Sequence, residues 1–487
     1  MPVLTHANLL PIFLVFMFTL GAGFMLKSAI RSSGEFLQDL RGLSAGIAVP
    51  AFCATFLGAP EVLGLGALGA CNGWRWSVAF VLGLIPALLI ACRWSAPRLV
   101  RAQAKTVAEF LGQRYGRSMR TASAILYVLF YLLGAAIALG LLAHTVQMLH
   151  ILDGVARERG WPVESIYPGV VTTSAMMVLL AVLWGGFAGS VYSRAIQFCF
   201  LLVGFLPLSM RGVESVGGWS GLQSSTAGFS GVLAQPLVAW LLGAAIGAGV
   251  GSADFRLLQI LLNCRKSALR RVPLLALLPL LAASLLVVLP GAVAPLLPTP
   301  RTAVTQSVIE GAIVRTTTVA RPEEEAGRGL TPAQTDPATG NVQHGADGAV
   351  RLEYAMGALQ LAVKELRAQA LGLVLAALLA ALLSGVTAQL TAITALLNHD
   401  LLPLFFKLPT SDEALLRILR WTAAGTMAAV AALALVLRSH GPGNTQLLLL
   451  DGLCGMFFLA LMALGMAAVR VPEQKAVSKR KRQGKSV

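Results

Sequence analysis

Long apolar stretches recur along almost the whole chain, each near the roughly 20 residues that a helix needs to cross ~30 Å of hydrocarbon. About eleven can be marked by length and composition. They are Leu9 to Met25, Gly42 to Cys71, Ser77 to Cys92, Thr121 to His150, Val170 to Leu183, Val191 to Leu208, Leu233 to Val250, Leu274 to Leu297, Ala368 to Leu397, Trp421 to Leu437 and Leu447 to Val469. Lipid offers no partner to backbone N–H and C=O groups, so spanning segments this long must be helices. The pattern predicts an all-α polytopic membrane protein whose function rests on polar groups within or at the ends of its helices.

Composition agrees: 56% of residues are hydrophobic and 12% are charged, about half the charge of a soluble domain. Mean hydropathy is +0.74. The first span runs into Lys27 and Arg31 with no small-residue cleavage pattern, so it is expected to be a retained helix rather than a signal peptide. No appended soluble domain is expected.

A net charge of +16 would suggest nucleic acid if it were spread over a soluble surface. With the N-terminus outside and eleven alternating spans, the basic clusters fall on the cytoplasmic side. These are Arg93, Arg98, Arg101, Lys105, Arg114, Arg117 and Arg120, then Arg265, Lys266, Arg270 and Arg271, then Lys475, Lys479, Arg480, Lys481, Arg482 and Lys485. The outer side keeps scattered residues such as Arg75, Arg157, Arg159, Arg211 and Arg438. That is the positive-inside bias. It predicts a cytoplasmic (inner) membrane location, a cytoplasmic C-terminus, a lipid bilayer as partner and no nucleic acid. The six cysteines contain no C-x-x-C and fall in spans or at their edges, so they read as packing residues. The histidines show no ligand spacing, so no metal site or cofactor is expected beyond a coupling sodium ion or proton.

The chain divides into an extra N-terminal helix (1–30), a core (31–470) and a basic tail (471–487). One long outer loop covers 299–367. Its stretch from Pro322 to Gly348 is too polar and Gly/Pro-rich to bury much apolar surface, which predicts partial disorder. From Tyr354 to Glu365 the apolar residues return at helical spacing, which predicts a short helix.

The second span is the unusual one. Its middle reads Phe-Leu-Gly-Ala-Pro-Glu, placing Gly58, Pro60 and Glu61 at mid-membrane. Pro60 removes a backbone donor, and Gly58 and Gly64 loosen the helix. Freed carbonyls survive at that depth only where they line a cavity or are buried in protein. Two readings are open: a broken helix carrying an ion and substrate site, or a proline-kinked packing helix.

Four further stretches carry a family resemblance. Within Tyr354 through Asp400, the run from Arg367 through Ser384, with Asn398-His399-Asp400, resembles a signature helix of the sodium:solute symporter family. Val107-Ala-Glu-Phe-Leu-Gly-Gln-Arg-Tyr-Gly116 is similar to a loop of that family. Trp184 to Gln197, and Ala253-Asp254 through Gln259 followed by Leu289-Pro290-Gly291, are similar to two more of its motifs. The resemblance implies a LeuT-type fold, with two inverted repeats of five helices after the extra N-terminal helix. It implies ion-coupled symport of a small organic solute by alternating access, not enzymatic activity. The alternatives are a proton-coupled or uncoupled transporter, or a transporter-like solute sensor. Oligomeric state is not implied.

By the same resemblance, the sodium ligands are the carbonyls of Ala54, Leu57 and Ala381 with the Ser384 hydroxyl. The next position of the family pattern is a hydroxyl residue and is Gly385 here, so one oxygen is missing. Thr387 lies two residues on, about 200° around the helix. On the inner ion pathway the family's Asp is Arg194 here, a reversal of charge. Arg194 is either an internal cation on that pathway or a snorkelling side chain at the cytoplasmic end of its span. Glu61 stands where sugar-transporting members carry a polar substrate contact, but the nearby contact pair of those members corresponds to Ala79-Phe80 here, which argues against a sugar. Glu61 reads as a proton acceptor, a partner for a cationic solute group, or a protonated or capped residue at the break. Thr55, Gly58 and Thr387 complete the candidate substrate or proton site. Asp254 and Arg256 read as a local surface pair, and Asp400 as closing its helix at the cytoplasmic face.

Overall fold

The computed structural model describes residues 6–30, 32–37, 42–148, 152, 160–162, 165–224, 235–297, 303–310, 313–320, 327–328, 330–332, 356–407, 409 and 411–438. The predicted eleventh span, Cys454 and the basic tail lie outside the described residues. Helices dominate: α1 His6–Met25, α2 Ala45–Phe56, α3 Ala59–Asn72, α4 Trp74–Arg101, α5 Val107–Tyr115, α6 Arg117–Met148, α7 Ile166–Ser215, α8 Pro236–Ala253, α9 Phe255–Leu262, α10 Leu277–Val293, α11 Gly357–Glu365, α12 Ala368–Leu396 and α13 Asp412–Leu437. Seven are long and apolar enough to cross a membrane, and the bent pair α2–α3 makes an eighth candidate.

Two places depart from the expected spans. The fifth and sixth are one continuous helical run, α7, divided by Gly186. Gly186 has φ 53° and ψ −149°, a left-handed conformation that glycine tolerates and branched residues do not. One residue therefore does the work of the expected connecting loop. The long outer loop also contains an antiparallel hairpin, β1 Ala303–Glu310 paired with β2 Ile313–Ala320. Both strands are rich in Val, Ile and Thr, whose branched Cβ favours extended chain. The part richest in Gly and Pro, 333–350, is outside the described residues. The short helix expected before α12 is α11.

The helices pack by close approach of small residues, as membrane helices do. Gly243, Gly247 and Gly251 form one ridge of α8. A methyl group on any of them would collide with the backbone of Phe80, Leu84 or Leu88 in α4. Against α10, Gly69 of α3 makes a similar approach, at Val288 and Ala292. Helix α3, with α4, α8 and α10, thus forms one tightly packed group, while α2 lies against α7. Helix α12 is the most enclosed of the spans, with 89% of its most apolar window buried. It lies against α7, α6 and the broken pair, so whatever α2–α3 binds is bounded by α12.

Candidate functional site

The broken pair builds the site. Helix α2 ends at Leu57, whose φ −86° and ψ 51° leave the helical region. Gly58 then caps α3 in an extended conformation. The two halves meet at 54°. Pro60 falls in the first turn of α3, where its missing N–H costs nothing. The break frees the last carbonyls of α2 and the first amides of α3.

Helix α12 meets those freed groups. Ser384 Oγ donates to the Ala54 carbonyl at 2.8 Å. A Cβ on Gly58 would lie 3.1 Å from the Gly385 Cα, so here the two backbones are in contact. Ala381 is buried one turn before Ser384 and Leu57 is buried at the break. Of the residues implied as ion ligands, Ser384 and Ala54 are thus bonded to each other, with Ala381 and Leu57 three residues from them along their own chain segments. Thr387 is buried, but its hydroxyl donates to Leu383 O in its own helix at 2.7 Å.

Arg194 enters from the second arm of α7. It is 1% exposed and among the largest fully buried side chains. This overturns the snorkelling reading, because the guanidinium reaches no surface. Nη1 donates to Thr55 Oγ1 at 2.8 Å, Nη2 to Ser190 Oγ at 3.1 Å and Nε to Ser190 O at 3.1 Å. Thr55 Oγ1 in turn donates to Ala51 O at 2.8 Å. Thr55, counted with the substrate group, therefore holds the arginine in the last turn of α2.

On the other side of the break lies a charged network. Glu61 Oε1 accepts from Arg256 Nη2 at 3.3 Å, while Glu61 Oε2 is buried with no hydrogen-bond partner among the described residues. Arg256 is held more closely by Asp254, with Nη2 to Oδ2 at 2.8 Å. Asp254 also accepts from the Tyr131 hydroxyl at 2.9 Å, and that hydroxyl accepts from the Phe255 N–H at 2.9 Å. The expectation of a surface pair at Asp254 and Arg256 fails: the residues are 1% and 6% exposed. The pair stands where α8 breaks into α9, with Asp254 as the N-cap. Sequence reasoning missed this network, although a glycine-rich helix ending in Asp254 is a second interrupted segment in the other half of the chain, the pattern that marks such sites.

Asp400 closes the far end of α12. Thr106 Oγ1 donates to its Oδ2 at 2.7 Å and Arg120 Nε to its Oδ1 at 2.7 Å. The loop resembling the family pattern is explained locally. Thr106 caps α5 by accepting from the Glu109 N–H at 2.9 Å, and the Glu109 carboxylate accepts from the Lys105 N–H at 2.8 Å, a variant of the capping box. Among the described residues no group of three His, Cys, Asp or Glu side chains could hold a metal ion.

The arrangement offers freed backbone oxygens, two buried cations, Arg194 and Arg256, and one carboxylate oxygen without a donor among the described residues, at the crossing of α2–α3, α6, α8–α9 and α12. It suits binding and release rather than bond making. The family model described as the sodium:solute symporter family matches residues 38–237 and 336–479. The chain is similar to sodium/myo-inositol cotransporter 2 of Oryctolagus cuniculus, 29% identical over 174 residues, which is 35% of this chain and 23% of that protein. The Homo sapiens protein of the same name is 27% identical over 174 residues, with the same coverage. The matched region thus spans about a quarter of those relatives' length. In fold the chain is similar to a Na+-coupled sialic acid symporter solved in a substrate-bound, outward-open state. The TM-score is 0.66 at 15% identity, over 89% of this chain and 83% of that one.

Proposed function

We propose, from the premise that this chain belongs to the sodium:solute symporter family, that it is a secondary active transporter. It couples an ion to the movement of a small organic solute across a membrane by alternating access. One observation carries the reading: the α2–α3 break abuts the middle of α12, joined by Ser384 to Ala54 and by the Gly58–Gly385 contact. A broken helix against an intact one is how secondary transporters present ion and solute sites at mid-membrane. The family's name supplies sodium as the ion. The solute site is the space around Glu61, bounded by Tyr131, Arg256 and α12, and the free Glu61 oxygen asks for a donor, such as an ammonium group of the solute. Basic loops support a cytoplasmic membrane, with the N-terminus outside and the C-terminus cytoplasmic.

A second reading is favoured by the same Glu61. A carboxylate with one oxygen unpartnered can carry a proton, which makes the proton the coupling ion. The test is uptake of a panel of labelled organic solutes into proteoliposomes, under an imposed sodium gradient and separately under a proton gradient. Accumulation under either gradient supports transport and identifies the ion. Solute binding without net flux under both would replace the reading with a sensor.

A further inference from the structure

The C-terminal end of α2 is the feature that should attract a cation. Its last carbonyls are released by the break, and the negative end of the half-helix dipole points at the same spot. In transporters built this way, such ends coordinate the coupling ion. Here a cation is already attached. Arg194 donates to Thr55 in the last turn of α2 and to Ser190 in its own helix. Among the described residues no carboxylate pairs with it. A buried guanidinium without a counter-charge needs compensation, and the α2 terminus with the Thr55 and Ser190 oxygens provides it.

The oxygens implied for sodium are otherwise engaged. Ala54 O accepts from Ser384, the family's second hydroxyl position is Gly385, and the Gly58–Gly385 contact leaves the backbones touching there. Sodium wants several oxygens in one shell. An ion held by Ala54 would also face a fixed like charge bonded to the next residue. Two unit charges ~6 Å apart at an effective dielectric of ~20 weaken binding on the order of 100-fold.

We propose that the Arg194 guanidinium is a built-in cation that takes the electrostatic place of the coupling sodium at the α2 terminus, so that this chain does not bind sodium between its broken helix and Ala381–Ser384. The inference rests on reading the break as the transport site. It moves sodium coupling away from this site and leaves Glu61 as the titratable group beside it.

The test is thermal unfolding of the purified full-length protein in sodium, potassium and choline chloride at equal ionic strength. A ligand that binds only the folded state raises its stability by RT ln(1 + [L]/Kd). The wild type is expected to unfold at the same temperature in all three salts. Arg194→Asp, alone or with Gly385→Ser, is expected to gain a saturable rise of a few degrees specific to sodium. A saturable sodium-specific rise in the wild type overturns the proposal. So does the absence of a sodium response in both variants when they fold. If neither variant folds, the wild-type titration decides alone. No flux is measured, so a failed uptake experiment bears on the transport reading and leaves this one standing.

Discussion

Ser384 Oγ donates to the Ala54 carbonyl at 2.8 Å, and this one bond ties the most enclosed helix of the protein to the terminus of its broken one. The carbonyl is free for it because the break at Leu57 ends α2. Ser384→Ala leaves a buried acceptor without its donor, which costs about 1–3 kcal/mol. The expected result is a lower unfolding temperature in detergent with no change in sodium response. An unchanged unfolding temperature would mean that another group satisfies Ala54, and the tie would lose its structural role.

Glu61 tests the solute and proton readings together. Glutamine keeps an oxygen for the Arg256 donor, now 3.3 Å from Glu61 Oε1, but it cannot take up or release a proton. Glu61→Gln is therefore expected to fold and to lose the acceleration of uptake by an inward proton gradient. Protonation of Glu61 on the acidic side is the step that the amide removes, so the profile of uptake against pH should flatten. A variant with an unaltered pH profile would return Glu61 to a capping role at the break.

Tyr131 holds two groups at the second break. Its hydroxyl donates to Asp254 Oδ1 and accepts from the Phe255 N–H, both at 2.9 Å. Tyr131→Phe keeps the ring but leaves the buried Phe255 N–H without its acceptor; Asp254 Oδ1 loses one donor and keeps the Arg256 N–H and Nε. The expected cost is about 1–3 kcal/mol, that of one buried donor left unsatisfied. Thermal unfolding reads it directly. Asp254→Ala should cost more, about 3–5 kcal/mol, because Arg256 then keeps only the longer bond to Glu61.

The apolar runs located most spans because length and hydrophobicity report membrane crossing directly. The broken helix was legible for a similar reason: Gly58 and Pro60 are incompatible with an uninterrupted membrane helix unless something compensates. The rest depended on three-dimensional pairing. Asp254 and Arg256 stand two residues apart, and adjacency alone does not distinguish a solvated pair from a buried one; Tyr131, more than a hundred residues earlier, makes the difference. Arg194 lies two turns from a connection that hydropathy read as a loop. Because Gly186 makes that turn with one residue, α7 stays enclosed and Arg194 lies inside rather than at an edge. Gly385 could be seen as a missing oxygen, but not as the surface against which Gly58 packs.

The glycine ridge of α8 gives a prediction about the moving parts. Alternating access needs the helices that share the break to move as a unit, and α4 against α8 is the tightest seam among them. Gly247 lies against the Leu84 backbone so closely that an added methyl group has no room. The atom it would meet is the Leu84 carbonyl oxygen, which cannot swing aside as a side chain would, so Gly247→Ala must push two helices apart. Overpacking of this kind costs about 1–3 kcal/mol. The control is Gly425→Ala in α13, where a Cβ meets nothing within 4 Å and the helix gains up to about 1 kcal/mol from the loss of glycine. The unfolding temperature should fall for Gly247→Ala and hold or rise for Gly425→Ala. Solute uptake should drop in the first variant beyond what its folded fraction explains, since the break at Asp254 rides on the same helix. Equal behaviour of the two variants would mean that the seam yields, and that the α4–α8 pair is not the rigid element that carries the site.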